Sequence, residues 1–290
     1  MGIRLKFNLV LVGVFLAGFA AAGWTSYELL HRNAREEILR NARLMMETAL
    51  AIRGYTTAQV RPHLEEQLTR TFLPQSVPAY AATETLGELR KTYPDYGYKE
   101  ATLNPTNPRN RATDWEADIV TNFRNSQANK EIIGERDTPT GRSLFVARPI
   151  QIGDPACLAC HSTPAAAPKT MLNLYGDANG FGWKMHEVIG AQVVSVPTSV
   201  PTASANRAFV TFMACLAAVF GLVFIALNVM LSQMIVRPIQ SMAKAADAVS
   251  TGDFGIAEFD VKAKDEIGML GASFNRMRRS LQKAMQMIEG

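Results

Sequence analysis

The pentad Cys157-Leu-Ala-Cys160-His161 places two thiols and an imidazole within five residues. Two thiols at this spacing can add across the two vinyl groups of one porphyrin, and the adjacent imidazole then reaches the iron from one face. Cys-x-x-Cys-His is accordingly the attachment signature of a c-type haem. These residue types are scarce in the 290-residue chain, which has three cysteines and four histidines, so chance assembly is a poor account of the pentad. On this reading Cys157 and Cys160 carry one covalent haem and His161 is an axial iron ligand. Two other uses of the same residues compete. Zinc could take Cys157, Cys160 and His161 with a fourth ligand such as His186, but structural zinc prefers paired modules and ligation by adjacent Cys and His is awkward. A thioredoxin-like redox pair needs a strand and a helix N-terminus around the cysteines, whereas Pro155 precedes them and Pro164 and Pro168 follow.

The other face of the iron has several candidate ligands, because imidazole or thioether suits haem iron. They are His63, Met171, Met185 and His186, and an open position for a small gaseous ligand is the further alternative. Gly180-Phe-Gly-Trp183 reads either as a tight turn whose aromatics wall the pocket or as ordinary core. Beyond His63 and His186 there is no acid–base constellation of the kind a peroxidase or gas reductase would need, so no enzymatic activity is expected.

The elements that must position this motif begin in the membrane. From Phe7 to Trp24 only Asn8 is strongly polar, and at about 1.5 Å per residue the stretch with its flanks can cross a bilayer. A second apolar run, Ala208 to Ile235, is interrupted only by Thr211, Asn228, Ser232 and Gln233. Arg4 and Lys6 before the first run, and Arg237, Lys244, Lys262 and Lys264 after the second, put both ends in the cytoplasm and the intervening segment outside. A cleaved signal peptide ending near Ala20–Ala22 competes with an uncleaved anchor. The anchor is favoured because the run is long and leads directly into a helix. Asn228 and Ser232 share a helix face and could bond across a helix–helix interface, while Cys215 reads as a small apolar filler. Covalent haem attachment takes place outside the bacterial cytoplasm, which agrees with this topology.

In the external segment Ile38, Ala42, Met45, Ala49 and Ile52 form a three-four seam of the kind that packs on a partner helix. Helices are expected to continue to about residue 130, one starting at the capping box Thr113–Glu116. Strands then follow over Ser143–Ile152 and Glu187–Val196, the latter apolar on both faces and hence central in a sheet. The fold class expected for this part is α+β.

After the second run, Ile239, Met242, Ala246 and Val249 repeat at helical spacing before Gly252-Asp253-Phe254. Asp265-Glu266-Ile267-Gly268 then opens a helix with the seam Ile267, Leu270, Phe274, Met277, Leu281, Ala284 and Ile288. Two short helices cannot bury these seams alone, so a parallel homodimer is expected. With 30 Lys+Arg against 26 Asp+Glu, a net charge of +4 and no dense basic run, nucleic acid is not an expected partner. At 48% hydrophobic and 19% charged residues the chain is too apolar to be disordered.

The C-terminal segment resembles a HAMP linker, through Pro238 after the span, Asp265-Glu266-Ile267-Gly268 and Phe274-Asn275-Arg276-Met277. The resemblance implies a parallel coiled coil that relays motion from a membrane helix. The external part resembles a bacterial family of PAS-like periplasmic domains carrying one haem c, commonly placed before HAMP segments. The residues that carry this are Ser76-Val77-Pro78-Ala79, Leu103-Asn104-Pro105-Thr106-Asn107-Pro108, Arg148-Pro149-Ile150, Cys157 to His161 with Ser162-Thr163-Pro164, and Gly180-Phe181-Gly182-Trp183. It extends over most of residues 40–197 and implies the PAS-like fold and a sensory role.

The expected organisation is a cytoplasmic tip and first transmembrane helix at 1–30, a periplasmic haem c domain at 31–207, a second transmembrane helix at 208–235 and a cytoplasmic HAMP domain at 236–290. The expected protein is an inner-membrane sensor answering a redox partner or small ligand. The alternative is a membrane-anchored electron-transfer cytochrome. Receptors of this layout usually continue into an output domain, and the sequence ends at Gly290. The expectation is therefore a separate cytoplasmic output protein docking on the HAMP bundle, or a HAMP segment acting as a dimerisation stalk.

Overall fold

The computed structural model describes residues 2–126, 128–139, 141–259 and 265–289. They fall into two compact units, residues 28–208 and residues 1–27 with 209–290.

The unit spanning 28–208 starts within helix α1 (Ile3–Tyr55), which passes through a π-helical stretch, Thr56–Val60, into α2 (Arg61–Leu68). Then come α3 (Pro78–Thr92), strand β1 (Gly97–Thr102), α4 (Asp114–Asn125), β2 (Ile132–Thr138) and β3 (Gly141–Gln151). The short helices α5 (Leu158–His161) and α6 (Lys169–Tyr175) precede β4 (Val188–Pro197). The strands form one antiparallel sheet in the order β1-β4-β3-β2, giving the α+β, PAS-like domain. As its apolar run requires, β4 is an inner strand buried on both faces. Helical segments do run on to Asn125, but strand β1 lies among them. Its sequence, Gly-Tyr-Lys-Glu-Ala-Thr, hides the strand because the side chain buried between Tyr98 and Thr102 is the carboxylate of Glu100.

One sheet face carries Tyr98, Leu144, Val146, Val194 and Val196, against Ile38, Ala42, Met46 and Ala49 of α1 and Ala82 and Leu86 of α3. The α1 seam therefore packs on a sheet rather than on a partner helix, with Met46, not Met45, fully buried. Alanines at 42 and 49 let the helix lie close to the strands, and each buried Val, Leu or Met contributes about 1.5–3 kcal/mol. The other face carries Ala101, Ala147, Ala191 and Val193 beneath Ile119, Val120 and Phe123 of α4. The capping box that starts α4 is formed, with Thr113 N and Oγ1 donating to Glu116 Oε2 at 2.8 and 2.9 Å.

In the second unit, α7 (Ser199–Met230) runs through a π-helical stretch, Leu231–Val236, into α8 (Arg237–Ser250), and α9 (Glu266–Glu289) follows. The segments Ile3–Leu68 and Ser199–Ser250 are long and apolar enough to cross a membrane. Their apolar parts pair through Phe15 stacked on Phe220 at 4.7 Å and Tyr27 edge-on to Phe209 at 5.6 Å. Ser232 does bond across the pair, accepting from Arg4 Nη2 at 2.6 Å. Asn228 instead donates to Phe224 O of its own helix at 3.0 Å.

Beyond the π-helical stretch the buried stripe of α8 includes Ala245 and Val249, with Ala246 exposed, one position off the expected seam. Asp265 opens α9 as expected, its Oδ1 accepting from Gly268 N at 2.9 Å. Asn275 clamps the connector, accepting from Phe259 N at 3.1 Å and donating to Phe259 O at 3.0 Å. Leu270, Met277 and Leu281 of the expected seam are about half exposed in the single chain. Lys262, Lys264 and the Ile288 side chain lie outside the described residues.

Candidate haem site

The cysteine motif occupies a tight helical corner. Asp154 Oδ1 accepts from Ala156 N at 2.8 Å and starts a 3-10 turn, Pro155–Cys157, which continues as α5 and ends at His161. Pro155 suits this position, because a first helical residue needs no backbone donor. Cys157 and Cys160 are free, half-buried thiols. Burial pushes the Cys160 thiol up, with the Arg61 guanidinium opposing, so it is protonated at neutral pH.

His161 is fixed from three sides. Its Nδ1 lies 2.8 Å from Gly180 O and 3.4 Å from Thr106 Oγ1, and its ring stacks on Trp183 with centroids 3.9 Å apart and planes at 18°. A carbonyl can only accept, so Nδ1 carries the proton and Nε2 keeps its lone pair. Burial pushes His161 below its ordinary value, with the bond to Gly180 opposing, and the ring is neutral at pH 7.

Two loops from distant parts of the chain build this cradle. Asn104 accepts from Gly180 N at 3.2 Å and donates to Phe181 O at 3.3 Å, holding the Gly180–Phe181 peptide at both ends. Gly182 N donates to Ser162 O at 2.9 Å and Trp183 N to His161 O at 3.2 Å, tying the same turn to the end of α5. Gly180 has φ +86°, and a Cβ there would collide with Thr106. The Gly180–Trp183 segment is thus a loop whose tryptophan stacks on the imidazole. The roles of Asn104 and Thr106 could not be read from spacing, because the His161–Thr106 contact spans 55 residues of chain.

The residues fit a c-type haem. Two thiols and an imidazole lie within five residues of chain, and the Nδ1 of that imidazole is committed to Gly180 O, the outer support a metal-bound histidine uses. Among the described residues no group of three or more His, Cys, Asp or Glu converges to hold a metal ion. Of the four distal candidates, Met171 is buried in α6 and Met185 is half-buried before β4. His63 is exposed on α2. His186 is exposed with φ +65°, its backbone bonded to Ile152 O and Gln151 Nε2 at 2.8 Å each.

A polar group that sequence reasoning did not find lies on the α1-facing side of the sheet. Arg53 Nη1 contacts both Glu100 oxygens at 2.6 and 2.5 Å, Tyr98 OH donates to Glu100 Oε1 at 2.7 Å, and Gln192 Nε2 donates to Tyr98 OH at 3.1 Å. Burial opposes the charge on Arg53, but Glu100 outweighs it and holds the guanidinium above its usual range. Burial and the Glu100 carboxylate together push the Tyr98 phenol far up.

An α+β domain with a Cys-x-x-Cys-His motif is thus set between two helices of membrane-crossing length and followed by further helices. The chain belongs to the Tll0287-like family, which it matches over residues 31–197, and it carries a HAMP domain over residues 230–283. It is 43% identical over 70 residues to a protein of Acetivibrio thermocellus named as a sensory transducer, a match covering 23% of this chain and 12% of that protein. A solved structure, that of the cyanobacterial heme-protein Tll0287, is similar at 18% identity and a TM-score of 0.44, covering 56% of this chain and 95% of that one.

Proposed function

We propose that this chain is an inner-membrane haem c sensor, with Cys157 and Cys160 forming the thioethers and His161 binding the iron. The observation that carries the reading is the commitment of His161 Nδ1 to Gly180 O at 2.8 Å, which leaves the lone pair on Nε2, in a residue that directly follows the second of two free thiols. Cys157 and Cys160 would hold the group by addition of each S–H across a vinyl C=C, a step in which sulfur gains a carbon, the proton goes to the neighbouring carbon and no oxidant is needed. A haem held here supplies a one-electron couple and, with an open face, a binding position for a small ligand. The chain's own residues orient the imidazole through Gly180, shield it with Trp183 and keep it neutral by burial.

The reading is further supported by membership of the Tll0287-like family, by the HAMP domain and by the sensory-transducer name of the matched relative. In this account residues 1–30 and 208–235 cross the membrane, 31–207 lie in the periplasm and 236–290 in the cytoplasm. The HAMP helices of two copies pair in parallel and pass the signal to a cytoplasmic output. Coupling of about 1–3 kcal/mol between site and bundle is enough to shift a two-state packing.

The test is bismaleimide crosslinking between copies carrying Ser241→Cys in a Cys215→Ala background, in membranes, after oxidation by ferricyanide or reduction by dithionite. The expected result is a yield that differs between the two states in the wild type and does not differ in His161→Ala. A wild type whose crosslinking changes neither with redox state nor when carbon monoxide is added to the reduced protein overturns the sensor reading and favours the electron-transfer cytochrome.

A further inference from the structure

The imidazole at the site has two acceptors facing one N–H. Gly180 O at 2.8 Å takes the principal bond, and Thr106 Oγ1 at 3.4 Å completes a three-centre arrangement about Nδ1. We propose that Thr106 is a positioning residue whose hydroxyl, as second acceptor at His161 Nδ1, strengthens the histidine as a ligand and biases the bound iron toward its ferric state. The inference rests on His161 being the axial ligand.

Thr106 is held where it can do this and little else. The Cα of Gly180 packs so closely on Thr106 that a single added methyl would overlap the threonine, and φ of +86° already demands glycine. Asn104, two residues earlier, bonds the amide of Gly180 and the carbonyl of Phe181, so the loop bearing Thr106 and the loop bearing the carbonyl acceptor move as one. Pro105 and Pro108 restrict the backbone on either side of Thr106. Asn107 Oδ1 accepts from Arg109 N at 3.2 Å and closes the turn that follows. With Trp183 stacked on the imidazole, rotation of the ring away from both acceptors is blocked.

The chemical consequence follows from the direction of charge flow. Acceptors on the outer nitrogen of a metal-bound histidine raise its basicity, and a more basic ligand stabilises the more highly charged metal. Removing one of two acceptors, the longer one, therefore weakens the ferric preference without removing the ligand.

The experiment is a mediated potentiometric titration of the full chain in detergent, loaded with haem by cytochrome c maturation factors, for wild type, Thr106→Val, Thr106→Ala and Thr106→Ser. Valine keeps the shape and loses the hydroxyl, serine keeps the hydroxyl, and alanine is the second hydroxyl-free variant should valine overpack. The ferric-over-ferrous preference is expected to fall about threefold to tenfold in the valine and alanine variants, a rise in potential of about 30–60 mV at 59 mV per tenfold for one electron. Serine is expected to stay within about twofold of wild type. Covalent haem should be retained in all four, with unchanged far-ultraviolet circular dichroism. A hydroxyl-free variant with the wild-type potential, or a serine variant displaced as far as valine, overturns the proposal. Failure of the underlying reading looks different: His161→Ala would then keep the wild-type haem spectrum, whatever Thr106 does.

Discussion

Arg53, in the last turn of α1, grips both carboxylate oxygens of Glu100 on β1 at 2.5–2.6 Å, and only 4% of Glu100 is exposed. The helix that carries the first apolar run is thereby pinned to the sheet by a buried charge, whose remaining capacity is met by Tyr98. Removing one member of a buried pair strands the other, at a cost of about 3–5 kcal/mol. The Arg53 side chain is part-exposed and can regain water, so Glu100→Ala is expected to destabilise the domain by less than that, about 1–3 kcal/mol, and Tyr98→Phe by about 1 kcal/mol. Denaturant unfolding followed by near-ultraviolet circular dichroism checks both, and a Glu100→Ala variant as stable as wild type would contradict the assignment.

Glu131 sets an acid limb on stability. Burial alone would raise its carboxyl, but Arg43 at 2.7 Å and Arg148 at 3.1 Å outweigh burial and hold it below the usual carboxylate range. A carboxyl depressed in the fold contributes stability that is complete above its unfolded value and is lost as pH falls through the folded one. Glu131→Gln should therefore melt below wild type at pH 7, with the gap closing as the pH is lowered beneath the ordinary carboxylate range. A gap independent of pH would show that packing, not charge, is what the substitution removes.

Gly180→Ala should damage the site while sparing the sheet. The new methyl meets Thr106, and the positive φ adds strain of about 1–3 kcal/mol. The carbonyl that orients His161 then shifts. The expected outcome is an altered haem absorption spectrum with unchanged far-ultraviolet circular dichroism; an unaltered spectrum would mean that Gly180 does not orient the ring.

Leu270 and Leu281 are 52% and 45% exposed in the single chain, although their spacing is that of a packed seam. Each is already about half covered, so a second copy burying the rest would contribute about 1 kcal/mol per leucine. Leu270→Ser/Leu281→Ser should weaken self-association at least about tenfold, read by sedimentation in detergent. Unchanged association would place the dimer contact elsewhere.

What was legible in the sequence was local. The Cys157–His161 motif, the Thr113–Glu116 capping box, the inner position of β4 and the Asp265 cap all depend on neighbours within a few residues or on a single run of apolar side chains. The α1 seam was visible, but three-four spacing says that a stripe is buried and not what buries it, so the sheet beneath it was missed. β1 was missed for a related reason: a buried Glu100 breaks the apolar alternation, and it is tolerable only because Arg53, 47 residues earlier, meets it. In the same way Asn104 and Thr106 act on a histidine more than fifty residues away. A sequence can show such residues, but only the fold shows that they meet.

The central claim is that Cys157 and Cys160 bind haem covalently with His161 on the iron. The most direct measurement is denaturing electrophoresis with haem peroxidase staining, on protein made with cytochrome c maturation factors, of wild type beside Cys157→Ser/Cys160→Ser, with a pyridine haemochrome spectrum of each. The account predicts a stained wild-type band with a c-type spectrum and no stained band for the double variant. An unstained wild type, or a double variant that stains equally, would contradict it.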